Sequence, residues 1–573
     1  MQTFSRARRC RLHFDSLESR DVPAGSVTAS ISGGVLILTG DDLANSVTIK
    51  RTATDVVITP DATTSVNGMA ANTAVTVTGV ASSLKANLKD GNDTLAIDAF
   101  GDLVMSGGAS IKLGSGNDTL LLETEGIIDL GSLIVTGGAD NDFVSVQAGL
   151  GTDSRVAGKA SFKFGTGEAD AEFANIGFYG SDGVFVTASG SGTNTDIAIA
   201  NVTISNKLKA DLKATFGTLE FDSSSIGDLS IKASDATIDA IDSTVFGDLS
   251  VTATNGPVLR ADSLVVTELV SLKSTSLSGS VFASFKGDSE VKGIKLRGSS
   301  ASLSVGEDVT DGLSVAGDIM VSGNKLAAFD FADGSLIAHN VRVSSPRGDT
   351  FLDAFGNDFN LSGDLIVSGG ITTTVNLDTT EPSQIAGHVK VNGGSQADRI
   401  LISSKLRVRD RVDLNLKNGD NQVSIGDANG DTEIDGKLSI MTGSGNDLIS
   451  LQAVAIGNLT VIITGSGNDN VSLEDGTTFA KSVRLDLGAG NDTLSIAQNL
   501  GSAGAVTFNG KSTLRLGLGD DTLRLGRSLA AGGDANSRVV FNATGSVVDG
   551  GGGIDGFVAA DAQFFGVSPT STE

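Results

Sequence analysis

The chain has 573 residues, of which 74 are glycine and 6 are proline, with one cysteine and no tryptophan. This composition favours many short strands joined by tight turns, and it disfavours long helices. Aspartate and glutamate number 68 against 41 lysine and arginine, a net charge of −27, which disfavours nucleic acids and anionic membranes as partners. A chain of this length contains either several domains or one elongated array, and its single cysteine, Cys10, excludes an intramolecular disulfide.

Residues 1–25 form a short basic leader that we expect to be disordered or to act in sorting. The leader lacks the apolar stretch of a Sec signal peptide, and no run of about 20 apolar residues occurs anywhere to span a bilayer. Leu17-Glu18-Ser19-Arg20, followed by Pro23, resembles the Leu-Glu-x-Arg leader of large exported planctomycete repeat proteins. That resemblance implies an extracellular or cell-surface location, whereas a basic terminus without a sorting role is the alternative.

Residues 26–83 are predicted to form a β-rich N-terminal cap. Alternating apolar residues at 34–40, 46–50 and 55–60 predict strands separated by polar turns. A stack of strands needs such a terminal unit, since its first turn would otherwise expose open strand edges.

From residue 84 to about 560 the chain repeats itself. The phrase Gly-x-Gly-Asn-Asp-x-(Leu/Ile/Val) recurs about every 22 to 29 residues, most densely at 84–145 and 395–556. A second phrase, such as Gly227-Asp228-Leu229-Ser230-Ile231, shares a period near 23 residues and continues through the middle of the chain. The predicted fold is therefore all-β, an elongated right-handed parallel β-helix (β-solenoid) with about 23 residues per coil, followed by a C-terminal tail at 561–573.

Alternation within the strands predicts which side chains face the interior. Leu485 should point inward and Arg484 outward, and Phe162, Phe164 and Phe173 should stack as rungs of the core.

The Asn-Asp turns resemble the RTX, or haemolysin-type, calcium-binding repeat, Gly-Gly-x-Gly-x-Asp-x-Leu-x. The resemblance covers the short turns only, because most of them lack the leading Gly-Gly and they stand a full coil apart. It implies calcium as a cofactor, with these candidate ligands: Asp93, Asp118, Asp142, Asp447, Asp469, Asp492 and Asp521. The alternative is a purely structural turn, in which glycine and asparagine adopt left-handed backbone and the Asn-Asp side chains bond the turn's own amides.

Two functions remain open from the sequence. The first is a non-catalytic, exported or cell-surface, structural or adhesive repeat protein, with a polysaccharide or another surface protein as partner. The second is a parallel β-helix that binds or cleaves polysaccharide, for which alternation would place Lys405, Arg407, Arg409, Arg411 and Asp413 on one outward face. We do not expect an enzyme, since His13, His339 and His388 stand in no metal-binding or triad spacing.

Overall fold

The computed structural model describes residues 25–99, 101–151, 153–190, 194–306, 311–356, 358–403, 405–428, 432–499, 504–528, 531, 538–560, 562–564 and 570–572. The leader, apart from Gly25, and most of the C-terminal tail lie outside the described residues. The described chain is all β, and the predicted parallel β-solenoid is confirmed, with roughly 24 residues per turn. Each turn contributes one strand to each of three parallel sheets, and each strand pairs with its equivalents one turn before and one turn after.

The first strands of the structure differ from the rest because several of them pair antiparallel. They are Gly25–Ser32, Val35–Thr39, Ser46–Arg51, Asp55–Pro60, Thr64–Val66 and Val75–Thr78. Gly25–Ser32 pairs antiparallel with Val35–Thr39, and Asp55–Pro60 lies antiparallel between Ser46–Arg51 and Val75–Thr78. Val35–Thr39 and Ser46–Arg51 then pair parallel with strands of the first regular turn, so these antiparallel strands lead directly into the solenoid.

The regular turns consist of short strands in three sheets. The first sheet contains Leu103–Met105, Ile128–Leu130, Arg155–Val156, Gly177–Phe178, Thr244–Val245, Gly312–Val315, Ser335–Ala338, Asp358–Leu361, Ser383–Ile385, Leu406–Val408, Thr432–Ile434, Val454–Ile456, Thr478–Phe479, Val506–Phe508, Val539–Phe541 and Ala562–Phe564. The second contains Ser83–Asn87, Gly108–Lys112, Leu133–Thr136, Ala160–Phe164, Val184–Ala188, Val341–Ser345, Leu365–Gly369, Val389–Asn392, Val412–Lys417, Leu438–Thr442, Thr460–Ile463, Val483–Asp486, Ser512–Leu518, Val547–Gly552 and Thr570–Thr572. The third contains Thr94–Ala99, Thr119–Thr124, Asp142–Gln147, Ala169–Ala174, Asn194–Ala200, Ser280–Lys286, Asp349–Gly356, Thr373–Thr379, Arg399–Ser403, Gln422–Ile425, Leu448–Gln452, Asn470–Glu474, Thr493–Ile496, Thr522–Leu525 and Gly556–Ala559.

In the middle of the chain the corners between sheets are smoother, and single strands continue through two or three sheets. These long strands are Thr203–Asp222, Ser225–Ile241, Leu249–Asp262, Val265–Ser274, Asp288–Val305 and Ile319–Phe331. Register shifts at their corners, for example between Leu212 and Phe216, take the place of the turns seen elsewhere.

The core is one continuous column of apolar side chains inside the three sheets. Strand alternation places Leu485 at 0% exposure while Arg484 points outward, as predicted. Phe162, Phe164 and Phe173 are buried, which confirms their assignment to the core. Near the C-terminal end, Phe479, Phe508 and Phe541 stack face to face on successive turns with ring centroids 4.9 and 4.8 Å apart.

The outward faces of two sheets differ in charge. On the second sheet, Lys209 and Asp211 each belong to an outward column, that is, a set of outward residues in register on successive turns. Between residues 83 and 403 these two columns hold one acidic residue, Asp211, and ten basic residues: Lys85, Lys112, Lys163, Lys209, Lys232, Lys273, Lys295, Arg297, Arg342 and Lys390. Over the same turns, the two outward columns through Asp170 and Glu172 on the third sheet hold two basic residues, Arg260 and Arg399, and seven acidic ones: Asp170, Glu172, Asp196, Glu220, Asp239, Asp330 and Asp353.

Candidate functional site

The predicted aspartates stand in one column at the edge of the solenoid, where each turn enters the third sheet. Asp93, Asp118 and Asp142 occupy it near the N-terminal end. The C-terminal members are Asp447, Asp469, Asp492 and Asp521, and all seven side chains are no more than 3% exposed. In the middle of the chain the same position is held by small or hydroxyl residues, such as Ala169, Thr195, Gly217, Ala236, Ala301, Ala327 and Thr350.

Six of the seven predicted aspartates, all but Asp142, accept a hydrogen bond from a backbone amide of the preceding turn. The backbone N–H of Asp447 donates to Oδ1 of Asp469 at 2.8 Å, that of Asp469 donates to Asp492 at 2.8 Å, and that of Asp492 donates to Asp521 at 2.8 Å. Asp93 donates to Asp118 in the same way. The aspartates are therefore crosslinks between turns, each accepting a backbone amide that the strands do not pair.

The asparagine before six of the seven aspartates, and Asp520 before Asp521, make the complementary bond in the opposite direction. Oδ1 of Asn446 accepts the N–H of Asn468, and Oδ1 of Asn468 accepts the N–H of Asn491, both at 2.8 Å. The exposed asparagine thus binds the following turn, while the buried aspartate binds the preceding one. The expectation that these side chains bond their own turn's amides is wrong for most turns, because the closest free amides belong to the neighbouring turns.

Glycines make this close stacking feasible. Gly467 has φ +137° and Gly490 has φ +138°, in a region that side-chain-bearing residues rarely adopt. A Cβ atom on Gly467 would lie 1.8 Å from the carbonyl oxygen of Gly445 in the turn below. The Gly-x-Gly phrase is therefore required both by backbone conformation and by contact between turns.

Two members of the column have a Gly-Gly pair before them, and each accepts the N–H of the second glycine in its own turn; Asp398 also accepts an amide of the preceding turn. Asp142 accepts the N–H of Gly138 in its own turn at 2.9 Å, and Asp398 accepts that of Gly394 at 3.1 Å. The first glycine of each pair leaves room for the carboxylate: a Cβ on Gly137 would lie 2.1 Å from Oδ2 of Asp142.

The second carboxylate oxygen of most column aspartates is buried and accepts no hydrogen bond. This holds for Oδ2 of Asp93, Asp118, Asp447, Asp469, Asp492 and Asp521 and for Oδ1 of Asp142. Asn421 and Asn45, which occupy the same column, show what this position requires. Their Nδ2 atoms donate to the carbonyl two residues earlier, at 2.9 Å to Gly419 and 2.7 Å to Leu43. An aspartate oxygen has no hydrogen to donate unless the carboxyl is protonated, so it needs a proton or a cation there.

Burial raises the pKa of these column carboxyls: Asp93, Asp118, Asp142, Asp398, Asp447, Asp492 and Asp521. It raises the pKa of Asp93, Asp142 and Asp492 to about 7, with neighbouring column aspartates adding to the increase. Burial also raises the pKa of Asp118 and Asp398 to about 6. Two carboxylates about 5 Å apart repel by about 3 kcal/mol at an effective dielectric of 20, so an unbroken run of charged neighbours is unfavourable.

The column also contains residues beyond the seven candidate aspartates, and one of them, Asp398, was not expected from the sequence. Asp398 accepts the N–H of Thr373 at 2.7 Å, and Asn421 accepts that of Asp398 at 3.0 Å. Asp555 accepts that of Asp521 at 3.1 Å. Gly393-Gly394, four to five residues before Asp398, was the sequence feature that could have identified this turn.

The expected basic face at 405–413 does not exist. The first-sheet strand ends at Val408 and the next begins at Val412, so the chain passes a corner within the segment. Arg407 lies on the first sheet and pairs with Asp435 at 3.0 Å and Glu433 at 3.2 Å. Arg411 pairs with Asp413 at 2.8 Å beside the second sheet. The prediction of a single face was wrong because it extended the alternation of one strand across the corner between Val408 and Val412.

Within the described residues, no group of three or more histidine, cysteine, aspartate or glutamate side chains converges to hold a metal ion. The described part of the chain also contains no helix long and apolar enough to cross a membrane. Comparisons with protein-family models, with curated proteins and with solved structures found no match.

Proposed function

We propose that this protein is a non-catalytic structural or adhesive rod that acts outside the cell or on its surface. The observation that carries the proposal is the continuous stack of three parallel sheets around one core. Side-chain ladders at the edge reinforce this stack, as in the bond from Asp469 to Asp492. Such an array transmits load along its axis through repeated contacts between neighbouring turns. The aspartate and asparagine side chains of the turns therefore serve to bond neighbouring turns to each other.

The resemblance of the leader to that of exported repeat proteins supports the proposed location. A net charge of −27 disfavours binding to nucleic acid. A surface protein or a polysaccharide is the partner we propose for the adhesive role.

Treating intact producing cells with protease tests the location. The protein should be degraded without cell lysis, while a cytosolic marker should survive. Survival of the protein until lysis would contradict a surface or extracellular role.

Incubation with acidic and neutral polysaccharides tests the absence of catalysis. We expect no release of new reducing or unsaturated ends over the buffer control. Release that is lost after heat denaturation would favour a polysaccharide-cleaving β-helix instead.

We also propose that calcium stabilises the rod at the aspartate column. The buried oxygens without a partner, such as Oδ2 of Asp469 and Asp492, support this, because oxygen ligands suit calcium. Each turn offers one carboxyl, so backbone carbonyls and water would have to complete the six to eight ligands that calcium takes. The bound ion would supply the positively charged partner that these buried oxygens lack.

Thermal unfolding at pH 8 tests the calcium proposal. At about ten times the dissociation constant, one calcium site stabilises the fold by about 1.4 kcal/mol. Because magnesium demands a stricter octahedral geometry, 10 mM calcium should raise the melting temperature more than 10 mM magnesium does. The matched control is Asp469→Asn with Asp492→Asn, which keeps the cross-turn acceptors and removes the charge. Equal shifts with both ions, or a control that responds like the parent, would contradict calcium binding.

A further inference from the structure

We propose that the protein associates laterally with further copies of itself. In this contact the basic middle of the second sheet of one copy lies on the acidic middle of the third sheet of another. The proposal rests on the proposed function for one point only, that the chain acts as an extended rod. Its basis is the uneven distribution of charge between two outward faces of the same solenoid.

The basic face is regular and exposed. Lys209 and Lys232 stand on successive turns. One turn without a lysine follows, and Lys273 and Lys295 then stand on the next two turns. All four side chains are exposed to solvent. Acidic residues at the corner beside this face, such as Asp228, confine the positive charge to the middle of the sheet.

The acidic face brings like charges together over several turns. Asp170 is the register neighbour of Asp196 one turn later, and Glu172 and Glu220 lie on the parallel column two turns apart. Burial, with Asp196 and Glu172 nearby, raises the pKa of Asp170. Lysine side chains from outside would relieve this repulsion.

A second copy of the chain fits these faces better than an irregular partner. Both faces advance by one strand spacing per turn, about 4.8 Å, so charges on two aligned rods stay in step over many turns. Single exposed ion pairs are weak, and only a repeated set of them gives a stable contact. Because the two faces of one copy differ, the contact is heterologous and can continue from copy to copy.

The negative net charge of each copy opposes this contact, whereas ion pairs between the two faces favour it. The distances over which the two effects act decide which of them is stronger. Repulsion between two acidic rods acts over long distances, while ion pairs across the contact act at close range. At 0.15 M salt the screening length is about 8 Å, which weakens the first more than the second. At 1 M salt it is about 3 Å, which weakens both. Association should therefore be present at 0.15 M salt and lost at 1 M.

Sedimentation velocity on the full chain tests the proposal. One variant reverses the basic face with Lys209→Glu, Lys232→Glu and Lys273→Glu, and a second reverses the acidic face with Glu172→Lys, Asp196→Lys and Glu220→Lys. Each variant alone should have an apparent dissociation constant at least ten times that of the parent. A mixture of the two should associate again, because each then offers the charge that the other lacks. The matched control, Lys→Arg at the same three lysines, should associate like the parent.

Restored association in the mixture also shows that both variants are folded. The proposal is overturned if the parent is monomeric at 0.15 M salt up to 100 μM, if its association is unchanged at 1 M salt, or if the mixture fails to associate. Association of the parent only when an anionic polysaccharide is added would also overturn it, since the basic face would then serve another partner. Small-angle scattering of the same samples reports the rod shape separately, so a failed contact is distinguishable from a failed structural role.

Discussion

At the level of single residues, the column shows why both aspartate and asparagine can occupy the same position in the turns. Both side chains offer an oxygen to a neighbouring turn, and they differ in the second atom. In Asn421 that atom is an amide nitrogen that donates to Gly419, whereas in Asp492 it is a buried oxygen without a partner. The aspartate thus gives the same crosslink as asparagine and adds a site that responds to protons or cations.

We predict that Asp492→Ala destabilises the local stack, while Asp492→Asn does not. Alanine leaves the N–H of Asp469 without an acceptor, which costs about 1–3 kcal/mol for a buried donor. Asparagine keeps the acceptor. Hydrogen exchange of the Asp469 amide should be faster in the alanine variant only. Equal exchange in all three proteins would show that the crosslink contributes nothing to stability.

The glycines of the turns provide a second test at this scale. Gly467→Ala should lower the melting temperature clearly more than Gly79→Ala. The φ angles are similar, +137° and +125°, but a Cβ at Gly79 would meet only the side chain of Ile31, at 3.5 Å, whereas one at Gly467 overlaps the backbone of Gly445. Backbone strain alone costs about 1–3 kcal/mol, so the difference between the two variants measures the contact between turns. Similar losses for both would mean that the turns do not stack this closely.

At the level of strands, alternation decides which substitutions the stack tolerates. Leu485→Asp should strongly destabilise the protein, because it buries a carboxyl with no partner among apolar side chains, at a cost of several kcal/mol. Arg484→Asp exchanges an exposed residue and should change stability far less, although it removes the ion pair with Asp486. Chemical denaturation of both variants measures the difference. Comparable losses would contradict the strand register.

Much of the strand arrangement was predictable from the sequence, since strand alternation and glycine spacing are local properties. They predicted the solenoid, the inward position of Leu485 and the grouping of the aspartates along one edge. The direction of the aspartate bonds was not predictable, because it depends on which amides the neighbouring turn leaves free. The basic face at 405–413 failed for a similar reason: alternation gives no indication that Val408 ends a strand at a corner. Asp398 was missed because its turn lacks the Asn-Asp pair.

At the level of the whole molecule, the column links the stability of the rod to pH. Its aspartates ionise near pH 4 in the unfolded chain, but the pKa of Asp93, Asp142 and Asp492 is raised to about 7 in the fold. Between these values the folded chain holds more protons than the unfolded chain, so stability must fall as pH rises. The loss should begin near pH 4 and be complete slightly above pH 7.

The most direct test of the column's role is thermal unfolding at pH 5 and pH 8 with a chelator present. The parent is compared with a variant carrying Asp93→Asn, Asp142→Asn and Asp492→Asn. We predict that the parent melts several degrees lower at pH 8 than at pH 5, and that the variant loses most of that difference while staying folded. A parent that is more stable at pH 8, or a variant with the same pH dependence as the parent, would contradict the claim that burial in the column raises the pKa of these three carboxyls.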